Sequence, residues 1–82
     1  MTPQWLRVVA AFMCRDDSTT GEIYTYLERA GHRVRNLTGR MSDARAQGVT
    51  FTMREDSKGL HRYSVDYIPE KVARRCAKER EG

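Results

Sequence analysis

The chain has 82 residues, a mass of 9.5 kDa, 39% hydrophobic and 32% charged residues, and a formal net charge of +4. A chain of this length makes one domain with one small core, burying roughly 60–65% of the surface its unfolded form exposes, which excludes a deep two-lobed catalytic cleft. Trp5, Phe12, Phe51 and four tyrosines spread along the chain supply core material and argue against disorder, and no apolar run approaches the ~18–20 residues that span a bilayer.

The first predicted element is a helix. Thr2 is placed to cap it and Pro3 to take its first position, where a missing N–H is harmless. Trp5, Leu6, Val9, Phe12 and Met13 recur at three- and four-residue spacing, and Val8, Ala10 and Ala11 widen the apolar arc, so this helix must be covered on most sides. Arg15-Asp16-Asp17-Ser18 is a polar break. Thr19-Thr20-Gly21-Glu22 reads as a capping box opening a second helix, with Ile23, Tyr26, Leu27 and Ala30 on one face and Gly31 ending it. Only His32 and Arg33 separate Gly31 from Val34, so the spacing of Val34, Leu37, Met41 and Ala44 predicts a third helix over 34–47, with Leu37 and Met41 buried and Gly48 as its stop.

After Gly48 the period changes to two. Val49, Phe51 and Met53 alternate with polar residues as a half-buried strand, residues 55–59 form a turn-rich loop, and His61, Tyr63, Val65 and Tyr67 alternate along a return strand. The two strands make a β-hairpin over 49–67. Pro69 then opens a last helix reaching about Glu79, with Val72, Ala73, Cys76 and Ala77 as its apolar stripe.

The charge is unevenly placed. Residues 1–28 carry a net of −2, residues 29–48 a net of +4, and residues 49–82 a net of +2. All five cations of the middle segment are arginines, Arg29, Arg33, Arg35, Arg40 and Arg45, the side chain that forks onto phosphate and guanine. A concentrated basic patch is the electrostatic footprint of a polyanion partner, although many basic faces are merely solvated.

Two helices joined by a tight glycine turn, followed at once by a hairpin, form a helix-turn-helix with a wing. The fold class is therefore α+β, a winged helix-turn-helix with three helices, a β-hairpin wing and a C-terminal helix, as a single domain over 1–82 with its core about 2–68. The run Leu37-Thr38-Gly39-Arg40-Met41-Ser42-Asp43-Ala44-Arg45-Ala46-Gln47-Gly48-Val49, with the paired strand Arg62-Tyr63-Ser64-Val65, resembles the winged helix-turn-helix domains of phages and prophages. The resemblance covers roughly residues 18–67. Met41 and Ala44 stand where that pattern has isoleucine and leucine, which thins the core there but keeps the periodicity.

The resemblance implies a small phage or prophage transcriptional regulator that binds double-stranded DNA. The third helix would lie in the major groove and the hairpin would touch an adjacent backbone or minor groove. The candidate contact residues are Arg33, Arg35, Asn36, Thr38, Gly39, Arg40, Ser42 and Arg45, with Lys58 and Arg62 on the wing. Winged helices also serve as protein-binding modules, so the alternative is a phage-encoded protein that binds and inhibits a host protein, its basic face against an acidic surface. Asp43 on the same helix either orients Arg40 or Arg45 through a salt bridge, the preferred reading, or accepts a hydrogen bond from cytosine.

Other features carry plainer readings. Cys14 and Cys76 are far apart, and each is alone in its segment, so both read as buried or half-buried reduced thiols. His32 and His61 are lone histidines in turns or on the surface. Tyr24 and Tyr26 read as core and rim, with a functional role for Tyr24, which points away from the Ile23 stripe, as the other reading. The cationic tail, Arg74, Arg75, Lys78 and Arg80, is interleaved with Glu70, Glu79 and Glu81 and reads as a solvated face, with a homodimer through Val72 and Cys76 as the other reading. No Ser/His/Asp or Cys/His set, phosphate-binding glycine loop or metal-ligand spacing is present, so neither an enzyme nor a cofactor is expected. The stretch 1–5 lacks the basic and apolar regions of a signal peptide, which makes the cytoplasm the expected compartment.

Overall fold

Helix 1 organises everything that follows, because it is the element every other helix and the hairpin lean on. A computed structural model describes the backbone of residues 2–81 and the side chains of residues 2–78. Its elements are α1 (Gln4–Cys14), α2 (Thr20–Arg29), α3 (Leu37–Ala46), β1 (Thr50–Glu55), β2 (His61–Tyr67) and α4 (Glu70–Glu81). This is an α+β chain of four helices and one antiparallel hairpin, in an order compatible with a winged-helix-like arrangement.

Leu6, Val8, Val9, Ala11 and Phe12 of α1 are all buried. They divide the core in two. Val8, Ala11 and Phe12 meet Ile23, Leu27, Val34 and Met41 on one side; Leu6 and Val9 meet Ala44, Val49, Val72 and Cys76 on the other. Phe12 presents its ring edge-on to Phe51 and Tyr63, with centroids 5.5 and 6.4 Å apart. The helix begins one residue later than expected. Pro3, not Thr2, is the N-cap, in extended backbone, and its carbonyl accepts from the Leu6 amide at 3.2 Å.

The capping box of α2 forms in full. Thr19 Oγ1 accepts from the Glu22 amide at 3.1 Å, and Glu22 Oε1 accepts from the Thr19 amide at 2.9 Å. Both α2 and α3 end in the same six-residue hydrogen-bonded wrap, His32 N to Leu27 O and Val49 N to Ala44 O. Gly31 and Gly48 sit at the wrap position that needs a positive φ, at 84° and 94°.

The third helix starts at Leu37 rather than Val34, which corrects the expected span. Asn36 takes the left-handed conformation, φ 52°, and caps the helix with its own side chain. An asparagine tolerates that backbone because its short amide bonds locally. Val34 is still buried, but it reaches the core from the turn. Met41 is buried as expected, whereas Leu37 is only half-buried.

β1 and β2 pair in register from Phe51↔Val65 to Glu55↔His61. Between Thr50 and Phe51 the register shifts, leaving Asp66 and Tyr67 together opposite Thr50. Asp66 Oδ2 accepts from Thr50 Oγ1 at 3.4 Å, and Tyr67 is exposed rather than continuing the Tyr63–Val65 face. Met53, also expected to face the core, is exposed, while Tyr63 opposite it packs on Phe12. The polar break after α1 contributes one further strand residue: Ser18 and Tyr63 exchange both backbone hydrogen bonds, at 3.2 and 2.9 Å.

α4 follows Pro69, whose carbonyl accepts from the Ala73 amide at 2.9 Å. Val72 and Cys76 are buried against α1 within the same chain, so the stripe expected to make a homodimer is already covered. Cys14 is exposed, which corrects the expectation that both thiols are shielded. No helix among the described residues is long and apolar enough to cross a membrane. Glu79, Arg80 and Glu81 lie outside the described side chains.

Candidate nucleic-acid interface

α3 and the turn before it carry most of the candidate residues. The helix spacing sets Leu37, Met41 and Ala44 against the core. Gly39, Ser42 and Ala46 then lie on the outward side, with Thr38 beside them. Arg40 and Arg45 fall on the two flanks between these faces. Arg33, Arg35 and Asn36 are not helical; they belong to the turn, where Arg33 and Arg35 are exposed. That turn is tied to α1, since Gln4 Oε1 accepts from the Arg35 amide at 3.2 Å. Arg33 and Arg35 also line a cleft of about 280 Å³ with Tyr24, Glu28 and His32.

Asn36, Thr38, Gly39 and Arg40 have local structural work. Asn36 Oδ1 accepts from the Gly39 amide at 3.2 Å and from Thr38 Oγ1 at 3.3 Å. Gly39 is small because Asn36 lies over it: a Cβ there would stand 2.4 Å from Asn36 Nδ2. Arg40 Nε stands 3.1 Å from Asp43 Oδ2, an ion pair in which the N–H is not aimed along a hydrogen bond. This is the pairing expected of Asp43. Arg45 stays exposed, with its guanidinium 5.3 Å from the centroid of the Phe51 ring, in cation–π contact. Arg33, Arg35 and Arg45 enter no ion pair among the described residues.

The hairpin has the opposite electrostatic character. Arg54 forks onto the Asp17 carboxylate at 2.8 and 2.5 Å. Arg62 bonds Asp56 Oδ2 at 3.1 Å, the Asp17 carbonyl at 2.9 Å and Glu22 Oε1 at 3.0 Å. Arg62 was expected to reach a phosphate; instead its half-buried guanidinium braces the hairpin against the α1–α2 loop. At the tip, Asp56 Oδ1 accepts from the Lys58 and Leu60 amides at 2.8 and 2.9 Å, which shapes the loop and leaves the Lys58 ammonium exposed.

These contacts move three acids. The Arg54 hydrogen bond holds the Asp17 carboxyl below its ordinary range. The Thr19 amide does the same for Glu22, and the Leu60 amide for Asp56, with Arg62 adding to both. Asp17 in turn raises Arg54. No group of three potential metal ligands is found among the described residues.

Sequence reasoning missed Gln4, Phe51 as a platform for Arg45, and the Arg54–Asp17–Arg62 brace. Gln4 and the brace have no local signal, because they join residues 31 to 45 positions apart, and Arg45 and Phe51, six apart, lie on elements of different period. No protein-family model, characterised protein or solved structure matches the chain.

Proposed function

We propose that the chain binds double-stranded DNA sequence-specifically, as a small transcriptional regulator of the phage winged helix-turn-helix type, with α3 in the major groove and the β1–β2 hairpin as wing. One observation carries this reading. On the hairpin, the α1–α2 loop and the first turn of α2, Asp17, Glu22 and Asp56 are taken up by Arg54 and Arg62, whereas Arg33, Arg35 and Arg45 around α3 are left without carboxylate partners among the described residues. The positive field is therefore concentrated where a helix with a small outward face is exposed. A groove about 12 Å wide admits such a helix.

Within this reading Arg35 and Arg45 bracket the helix at its two ends. Thr38 and Ser42 supply short hydroxyls to base edges or phosphates, and Tyr24 borders the groove beside Arg33. Lys58 is the wing's contact; Arg62 is not assigned one, because its Nε and Nη1 already bond Asp56, Asp17 and Glu22.

Selection from random duplex DNA by the purified protein tests the proposal. Enrichment of a motif, with binding that weakens steeply as salt rises, is the expected result. Absence of duplex binding at low salt overturns it and transfers the same arginine surface to an acidic protein partner.

A further inference from the structure

α4 holds a second row of cations. Lys71, Arg75 and Lys78 recur at i, i+4 and i+7, turned away from the buried Val72 and Cys76. All three are exposed, and none enters an ion pair among the described residues. Their neighbour Arg74 differs, because it pairs with Glu70 at 2.6 Å.

The row is joined to the α3 surface through two adjacent residues at the start of α1. Trp5 carries the Arg75 guanidinium 5.6 Å from its ring centroid. Gln4, immediately before it, holds the Arg35 amide. Arg75, the middle of the α4 row, is therefore linked through Trp5 and Gln4 to the turn that leads into α3, and α1 places no acid between them, since its sequence Gln4–Cys14 contains none.

We infer that the α4 flank Lys71, Arg75 and Lys78 is a second contact surface for the DNA phosphate backbone, flanking the groove that α3 enters; this rests on the DNA-binding reading. The chemistry fits phosphate rather than bases. Lysine ammonium groups are point charges without the geometry to read a base pair, and an arginine in cation–π contact with an indole spends no N–H donor on that contact, which leaves its donors for phosphate oxygens. Seven residues of helix rise about 10 Å, close to three base-pair steps of a duplex. The row thus tracks a short run of backbone instead of a single phosphate.

The test compares two double variants of equal charge loss, each confirmed folded by thermal melting. Lys71→Gln/Lys78→Gln removes the α4 ammonium groups, which enter no ion pair among the described residues. Arg15→Gln/Arg29→Gln removes two cations that line a cleft with Glu22 and Tyr26 along α2. Binding is measured to a selected and a scrambled duplex over a salt series. The expected result is that the α4 variant loses affinity for both duplexes by the same factor and that its log–log salt slope falls by about two units, while the other variant changes the slope by less than half a unit. Emission from Trp5, the one tryptophan in the chain, should also change on saturation with duplex. Equal slopes for the two double variants, or a Trp5 emission indifferent to DNA, overturn the inference while leaving the α3 reading intact. Absence of duplex binding by the wild type overturns both.

Discussion

Asn36 lays its side-chain amide across Gly39, accepting from that residue's amide N–H while occupying the space a Cβ would need. The two positions are therefore coupled in sign. In the wild type, Gly39→Ala displaces the cap, offsetting the roughly 1 kcal/mol that alanine gains over glycine in a helix. In an Asn36→Gly background the space is empty, and the same substitution should stabilise by about 1 kcal/mol. Asn36→Ala should be worse than Asn36→Gly, because it adds left-handed strain of about 1–2 kcal/mol to the lost cap. Melting of the four variants checks the order, and additive effects of Asn36→Gly and Gly39→Ala would refute the coupling.

Met41 is buried in the α1–α2–α3 cluster, and Leu37 only half so. Met41→Ala should cost ~2–5 kcal/mol, a large part of the stability of so small a domain. Leu37→Ala should cost less, about 1–2 kcal/mol, because part of that side chain is already in water. Denaturant unfolding of the two variants should rank them in this order.

Acid should loosen the hairpin brace before the core. Asp17, Glu22 and Asp56 have carboxyls held below their ordinary range in the folded state. The unfolded chain therefore takes up protons that the folded chain refuses. Their contribution is complete above the ordinary carboxylate pKa of about 4 and is lost as pH falls below it through the folded values. Arg54→Met should return Asp17 toward its ordinary value and leave Glu22 and Asp56 depressed, since backbone amides are the leading cause for those two. A carbon-detected NMR titration resolves the three groups.

If the chain binds DNA as proposed, Arg35 of the turn and Lys58 of the hairpin tip should behave differently. Arg35→Ala should weaken the selected site by about tenfold or more and relax its sequence preference, as the loss of a forked base contact of ~1–3 kcal/mol does. Lys58→Ala should weaken all sequences alike and reduce the salt slope by about one unit. Arg62→Ala should instead lower the melting temperature, because its guanidinium serves the fold. Titrations at several salt concentrations, with a melt of each variant, distinguish the three behaviours.

The two thiols should report folding directly. Cys14 is exposed and Cys76 buried, so an aromatic disulfide reagent should consume one equivalent rapidly and the second only as the chain unfolds. Rapid reaction of both in the native protein would contradict the packing of α4 on α1.

Elements with a strong period or a local cap were readable from the residues alone. Thr19-Thr20-Gly21-Glu22 opens α2 where the capping box requires, and Val72 and Cys76 face inward as their spacing demands. The start of α3 was not readable, because Val34 continues the helical period while standing in the turn; its burial mimics a helix position three residues before the real one. The strand period likewise fails at Tyr67, where the bulge at Asp66 turns the remaining residue over. At the site, the cluster of arginines is visible in the sequence, but which of them are spoken for is not. Arg62 looks as free as Lys58 until Asp17, Glu22 and Asp56 converge on it from three different segments.

A two-stranded hairpin standing alone in water is only marginally stable. Here Ser18 grips Tyr63 by both backbone groups, and Asp17 beside it receives Arg54 and Arg62. The hairpin is therefore not a free arm that swings on residues 48–49 and 68–69. It moves with the α1–α2 loop as one lever, whose fulcrum is a pair of hydrogen bonds. Protection of the Ser18 and Tyr63 amides from solvent exchange should rise and fall together, at a rate set by the detachment of that loop, whatever happens at the hairpin's tip.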